Sequence, residues 1–298
     1  MFRTLLLIKP RSLLVIIVTA ACIRFGFIPG FGISTNTPLL PYAILVLCIL
    51  CIASGAYVVS SFLDSKTDSI NHPNRLIISR SLSQKQIVIT YLSLTLLGLG
   101  VLIYLFLIKT TANPNFVFWS ILSSTFILTI HSFKLKQIAL IGNMTLSLLV
   151  GYCVYLLGIS LIEPTGYPMV HFLLIIYAIL AFLLELSRSL LKDILNIRGD
   201  HFSNIDTLPI LLGKKRTNYI IFAILTLMIL IIMTVMLTYF LNLNVLIFYV
   251  FSFIVLPLIL ISKRILSATS KNDYKKINFQ LFLIFIAGLS SMLIFLVL

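Results

Sequence analysis

The sequence predicts an all-α membrane protein of nine transmembrane helices, and three observations carry that prediction. Hydrophobic residues make up 60% of the 298 positions and charged residues only 10%. The mean hydropathy is +1.14, well beyond a soluble domain, in which roughly half the residues are apolar. The apolar residues fall into nine runs, each long enough to cross the roughly 30 Å hydrocarbon core of a bilayer as a helix. The Lys and Arg residues, 22 in all, collect in alternate connections between those runs, as the positive-inside rule requires of a polytopic chain.

Taken in order, the predicted spans are 11–29, 40–62, 86–108, 116–133, 138–161, 169–191, 218–240, 244–262 and 278–297. The first run continues past Arg24 to Pro29 with no small-residue cleavage site, so it reads as a span and not as a removable signal. Arg3, Lys9 and Arg11 precede it. Lys66, Arg75, Arg80 and Lys85 follow the second span, and Lys134 and Lys136 follow the fourth. Arg188, Lys192, Arg198, Lys214, Lys215 and Arg216 follow the sixth; Lys263, Arg264, Lys271, Lys275 and Lys276 follow the eighth. The odd-numbered exits carry only Lys109. This alternation predicts a cytoplasmic N-terminus, cytoplasmic even-numbered connections and an external C-terminus. The net charge of +14 is then topology and calls for no nucleic acid. Such a basic face attracts anionic lipid headgroups and anionic substrates. With no soluble insertion or low-complexity run, residues 1–298 read as a single polytopic domain.

Four cysteines lie in apolar runs: Cys22, Cys48, Cys51 and Cys153. The C-x-x-C of Cys48 and Cys51 has no second pair and no nearby His, so it reads as small-residue packing and not as a thiolate metal site.

Two connections stand apart from the rest by each carrying more than one acid. After span two comes SSFLDSKTDSINHPNR, where Asp64 and Asp68 are four residues apart and share one helix face. Such a pair is either a cation site or the polar rim of a solvated loop. After span six comes ELSRSLLKDILNIRGD, in which Asp193 and Asp200 are seven apart with Asn196 between them on the same face. Acid-bearing segments therefore end spans two and six. That spacing suggests two four-helix units plus one helix, around a central cavity open to the cytoplasmic side.

Two acidic clusters across a cavity match what Mg²⁺ needs, since it keeps several waters and takes one or two carboxylates plus phosphate oxygens. Basic groups at the same mouth would offset a diphosphate, and an interior drawn from 22 Phe and 12 Tyr would receive an isoprenoid tail. This combination favours ionisation of an allylic diphosphate, with aromatic faces against the carbocation and water kept out.

The residues also carry a family resemblance. Asp64, Asp68, Ile70, Asn71, Pro73 and Arg75 form D-x-x-x-D-x-I-N-x-P-x-R, which resembles the first aspartate-rich motif of the UbiA superfamily of intramembrane prenyltransferases. KDILNIRGD followed by TLPILLG is similar to that family's second motif, matching at Lys192, Asp193, Asn196, Gly199, Asp200, Thr207, Leu208, Pro209 and Gly213. Between them, HSFKLKQIALIGN matches a third at Ser132, Leu135, Lys136, Gly142 and Asn143. The branch that it most resembles includes geranylgeranylglycerol-phosphate geranylgeranyltransferases and chlorophyll synthases. The resemblance implies Mg²⁺ held by Asp64, Asp68, Asp193, Asn196, Asp200 and Ser60. It implies Lys136, Arg75, Lys192, Arg188 and Asn71 on the diphosphate, and an integral protein of a bacterial or archaeal plasma membrane. The substrates implied are a prenyl diphosphate and a lipid or aromatic acceptor.

Departures from the family pattern are specific. Ser60 stands where the first motif has Asn, Asn196 where the second has its middle Asp, His131 for a Tyr and Ser189 for a Glu, and the loop after Arg75 lacks the usual Pro and Gly residues. Three intramembrane polar residues, Arg24, His131 and Glu185, are further candidates for the acceptor or the cavity, because such groups are costly in a bilayer unless they are used; Glu185 is a candidate partner for Arg24. Lys263, Arg264 and Lys271 to Lys276 read as a solvated basic face. Two rival functions share this plan, an intramembrane terpene cyclase and a non-catalytic isoprenoid-binding protein. Oligomeric state, chain length and acceptor are not specified by the sequence.

Overall fold

The computed structural model describes residues 10–71, 83–163 and 166–297, and within them every regular element is helical. Nine of these helices are long and apolar enough to cross a membrane: α1 (Pro10–Gly30), α2 (Leu39–Leu63), α4 (Gln84–Ile108), α5 (Pro114–Phe133), α6 (Ile141–Ile159), α7 (Pro168–Phe202), α9 (Lys214–Tyr239), α10 (Asn244–Ser267) and α11 (Lys271–Ile294). Two short helices, α3 (Ser65–Asn71) and α8 (Leu208–Leu212), follow α2 and α7.

Local chemistry sets where several of these begin. Ser83 opens α4 with a capping box, its hydroxyl accepting from Gln86 N while the Gln86 side chain accepts from Ser83 N. Ser270 and Asp273 do the same for α11. Pro114 and Pro168 sit at the first positions of α5 and α7, where a missing N–H costs nothing.

Several boundaries differ from those predicted, and the two largest differences have one reason. The sixth span was expected to end at 191, but α7 runs on to Phe202, 35 residues in all. The ninth was expected to start at 278, and α11 begins at Lys271. Hydropathy falls where charges begin, whereas the helix continues because those charges face a cavity or one another and not lipid. The second acidic segment is thus the last part of a spanning helix and not a loop.

The helices close into a ring. α1 packs on α2, α2 on α4 and α5, α5 on α6, α6 along α7, α7 on α9 and α11, and α11 back on α1. Inside lies a cavity of about 1450 Å³, lined by residues of α1, α2, α3, α5, α6, α7 and α11; α4, α9 and α10 stand outside it. Apolar contact between helices gains little in lipid, so interhelical hydrogen bonds carry more of the specificity. Tyr152 Oη donates to Ser120 Oγ (2.6 Å), and the Tyr177 and Ser291 hydroxyls are 2.8 Å apart.

At the end of the bundle away from the acidic segments, the connections are laced together. Arg24, on a π-helical turn of α1 (Ile23–Phe27), donates to Thr37 O (2.8 Å) and lies over the Tyr42 ring. Thr37 Oγ1 in turn donates to Ser160 O (2.5 Å) and accepts from Ala112 N (3.0 Å). Arg24 is not among the residues lining the cavity, and Glu185, expected as its partner, pairs with Arg188 and Lys192. Cys48 is buried, with its thiol 3.2 Å from Gly98 O, as packing predicts.

Candidate active site

Four elements bring the acidic and basic candidates to one end of the cavity. α2 ends by presenting Ser60 and Asp64, α3 adds Asp68, the turn between α5 and α6 adds Lys136, and α7 adds Asp193, Asn196 and Asp200; all of them line the cavity. Asp200 lies within electrostatic range of Asp193, Lys136, Asp64 and Asp68. The two acidic segments, 129 residues apart between Asp64 and Asp193, therefore face one space.

Lys136 is aimed by the turn that carries it. A 3₁₀ turn, Leu135–Gln137, links α5 to α6, and Leu140 there takes a positive φ of 65°. A Cβ on Gly142 would sit 2.8 Å from Leu135 O and 2.9 Å from Lys136 Cα, so the chain can fold back this tightly only with glycine. His131 pins the same turn, its Nε2 3.1 Å from Gly142 O. The Lys136 ammonium then forms an ion pair with Asp64 and donates to Ser60 Oγ (3.1 Å). Ser60 also donates to Asp64 Oδ2 (3.3 Å), which puts it inside this pair.

On the opposite wall a hydrogen-bond relay orients Asp193. Asn143 Nδ2 donates to Asp193 Oδ2 (2.6 Å), and Asn143 Oδ1 accepts from Ser189 Oγ (3.1 Å). The Ser189 hydroxyl thereby fixes which way the amide points. Asn143 was part of a matched motif yet was not singled out as a site residue.

α3 docks directly on α7. Asn71 Nδ2 donates to Asn196 O (3.0 Å) and Thr67 Oγ1 donates to Ser203 Oγ (3.0 Å). A Cβ on Gly199 would meet Asn71 Nδ2 at 2.3 Å and Thr67 O at 2.6 Å. Asn71, expected on the diphosphate, is instead outside the cavity lining and serves to hold the two motifs together. Arg75 lies outside the described residues.

A second charged group lines the cavity farther from the acidic mouth. Glu185 accepts from Arg188 (2.6 Å) and from Lys192 (2.9 Å). The Glu185 and Arg188 side chains are only 10% and 17% exposed, and the guanidinium also stacks on Phe282 of α11 at 5.2 Å. Glu185 thus pairs within its own helix. Lys271 and Lys275 line the mouth of the cavity as well as being exposed, so the basic start of α11 is more than a solvated face. Tyr57 and Asn278, which no sequence motif marks, and Thr207 of the second motif also line it.

Among the described residues no three His, Cys, Asp or Glu groups form a ready-made metal cluster. The oxygen donors are nevertheless of the kind that Mg²⁺ takes, and because Mg²⁺ uses one or two carboxylates together with water and phosphate, carboxylates on facing walls fit it.

The model of the UbiA prenyltransferase family matches residues 9–288. The chain belongs to the UbiA prenyltransferase family. As a member it is a prenyltransferase, an enzyme transferring alkyl groups other than methyl. It is 30% identical over 226 residues, 73% of this chain and 76% of the other, to digeranylgeranylglyceryl phosphate synthase of Pyrococcus horikoshii. The fold is similar to that of solved UbiA homologues. One, from Archaeoglobus fulgidus and bound to DMAPP and Mg²⁺, superposes with a TM-score of 0.66 at 13% identity, covering 97% of this chain and 99% of that one. A second, described for digeranylgeranylglyceryl phosphate synthase in membranes, gives 0.67 at 17% identity with 98% of each chain covered.

Proposed function

We propose that this UbiA-family enzyme acts as a single polytopic domain. It transfers a prenyl group, of geranylgeranyl type, from its diphosphate to a polar lipid acceptor such as a prenylated glycerol phosphate, in a Mg²⁺-dependent reaction. The observation that carries the reading is the meeting of Asp64, Lys136, Asp193 and Asp200, from separate elements, at one end of a 1450 Å³ cavity. The similarity to a digeranylgeranylglyceryl phosphate synthase supports the acceptor class.

In this reading Asp64 and Asp68 from one wall and Asp193, Asn196 and Asp200 from the other would hold Mg²⁺, with Ser60 beside them. When bound, the metal would draw off negative charge from the diphosphate and ease its departure. Lys136, held between Ser60 and Asp64, supplies a cation to the diphosphate oxygens; when substrate arrives its ammonium exchanges part of its contact with Asp64 for phosphate. The Asn143–Ser189 relay holds the Asp193 carboxylate in one orientation before substrate enters, which removes reorganisation from the reaction. The apolar walls of α2, α5 and α6 exclude water from the allylic cation, which would otherwise be captured as a free alcohol. The acidic mouth faces the cytoplasm in this account, in line with the basic connections around it.

One assay with product identification tests the reading. Purified protein in detergent receives Mg²⁺ and labelled geranylgeranyl diphosphate, with and without a prenyl glycerol phosphate or an aromatic acid. The expected product is an ether of the phosphate lipid, formed only when that lipid is present. A cyclic hydrocarbon formed without any acceptor, or binding without diphosphate release, would overturn it.

A further inference from the structure

Helix α7 sorts the polar residues of its cavity face into two sides. At about 100° per residue, with Glu185 at 0°, Arg188 and Lys192 fall at about −60° and −20°, whereas Asn196, Ser189, Asp200 and Asp193 fall at about 20°, 40°, 60° and 80°. The partners observed follow this division. On the positive side Asp193 and Ser189 bond to Asn143 of α6. On the negative side Arg188 lies against Phe282 of α11. Arg188 and Asp193 are also five residues apart along the axis, about 7.5 Å.

The basic side has unused hydrogen-bonding groups of both kinds. Arg188 Nε is a buried donor and Asn278 Oδ1 a buried acceptor, and among the described residues neither has a partner. Asn278 stands one turn before Phe282 on α11, and both line the cavity. Buried groups of this kind cost free energy unless something meets them. The charges are also unbalanced. Arg188 and Lys192 share the one carboxylate of Glu185, which leaves this group net positive, and Lys271 and Lys275 line the cavity nearer its mouth.

We propose that the α7–α11 side of the cavity is a separate subsite for the acceptor head. Arg188 grips a phosphate there, Asn278 accepts from a hydroxyl of the same head, and Lys271 and Lys275 attract the dianion to the mouth. This rests on the transferase reading above and reassigns Arg188 from the donor diphosphate to the acceptor. The metal-bound donor needs free carboxylates, which the opposite side of α7 offers and this side does not, since Glu185 is committed to Arg188 and Lys192. A head that carries both an anion and a hydroxyl answers both orphaned groups, and the excess of cations favours a phosphate over a carboxylate.

Binding measurements on the full-length protein in detergent separate the two subsites. The probes are a prenyl glycerol phosphate, the same lipid without its phosphate, a hydroxybenzoate, and a non-ionisable thiolo analogue of geranylgeranyl diphosphate with Mg²⁺. Wild type binds the phosphate lipid at least about tenfold more tightly than the dephosphorylated lipid, and Arg188→Gln removes that preference, the loss expected for one charge-assisted hydrogen bond. Asn278→Leu weakens the phosphate lipid several-fold, and both variants bind the diphosphate analogue within about twofold of wild type. Arg188→Lys, which keeps the pairing with Glu185, retains an intermediate preference and guards against loss of fold. Weakening of the diphosphate analogue equal to that of the lipid overturns the proposal, and so does tighter binding of the hydroxybenzoate than of the phosphate lipid. Failure of the wild type to bind the diphosphate analogue at all would overturn the transferase reading with it.

Discussion

Lys136 is held by Asp64 and Ser60, and Asp193 by Asn143, which Ser189 holds in turn. Replacing Lys136 with Met leaves Asp64 and Ser60 without their cation and removes a charged donor from the diphosphate. The rate of diphosphate release should fall by at least about tenfold, with the melting temperature little changed because the site is partly solvated. Asn143→Leu should cost more activity than Ser189→Ala, since Asn143 bonds the carboxylate itself and Ser189 only the amide behind it; the ratio of kcat/KM values in the two variants checks this. Ser60→Asn, which restores a longer oxygen ligand beside Asp64, should lower the Mg²⁺ concentration giving half-maximal rate. At this scale the acids were legible, because charge in an apolar chain is conspicuous and its spacing fixes a face. Asn278 was not legible. A single amide near a run of lysines carries no periodic signal, and its position acquires meaning only when α11 closes against α1 and α7.

Gly199 and Gly142 show how elements set those positions. Gly199→Ala would drive a methyl into Asn71 and the Thr67 carbonyl, so α3 must move off α7 and take Asp68 with it. A destabilisation of about 1–3 kcal/mol, typical of overpacking, should accompany a large loss of activity, measured by thermal unfolding and initial rate on one preparation. Gly142→Ala should act on Lys136 in the same way, by opening the turn held by His131. The spanning helices were legible from hydropathy and charge alternation alone. The C-terminal end of α7 and the start of α11 were not, since a helix whose charges turn inward to a cavity continues where a hydropathy window stops. Arg24 misled for a related reason. An arginine inside a span signals a use, but the use here is to tie Thr37 into the connections at the far end.

Across the whole molecule, the helices enclose a cavity lined by the acidic group and by the Glu185–Arg188–Lys192 group, and stability and orientation both bear on it. Glu185→Leu would leave the largely buried Arg188 without its counter-charge, and the more exposed Lys192 without its partner. Breaking a buried pair in this way costs about 3–5 kcal/mol, so the melting temperature should drop clearly, and less so in Glu185→Gln. The proposed orientation, with the basic connections cytoplasmic, can be tested directly. Cysteines introduced at Lys271 and Lys214 should react with an impermeant thiol reagent only from the cytoplasmic face, and one at Lys109 only from the other. The most direct test of the central claim is the Mg²⁺-dependent release of diphosphate from geranylgeranyl diphosphate in the presence of a prenyl glycerol phosphate, measured side by side for wild type, Asp68→Ala and Asp193→Ala. The account predicts acceptor-dependent release by wild type and a fall of at least about a hundredfold in each variant. Equal, slow release by all three would contradict it.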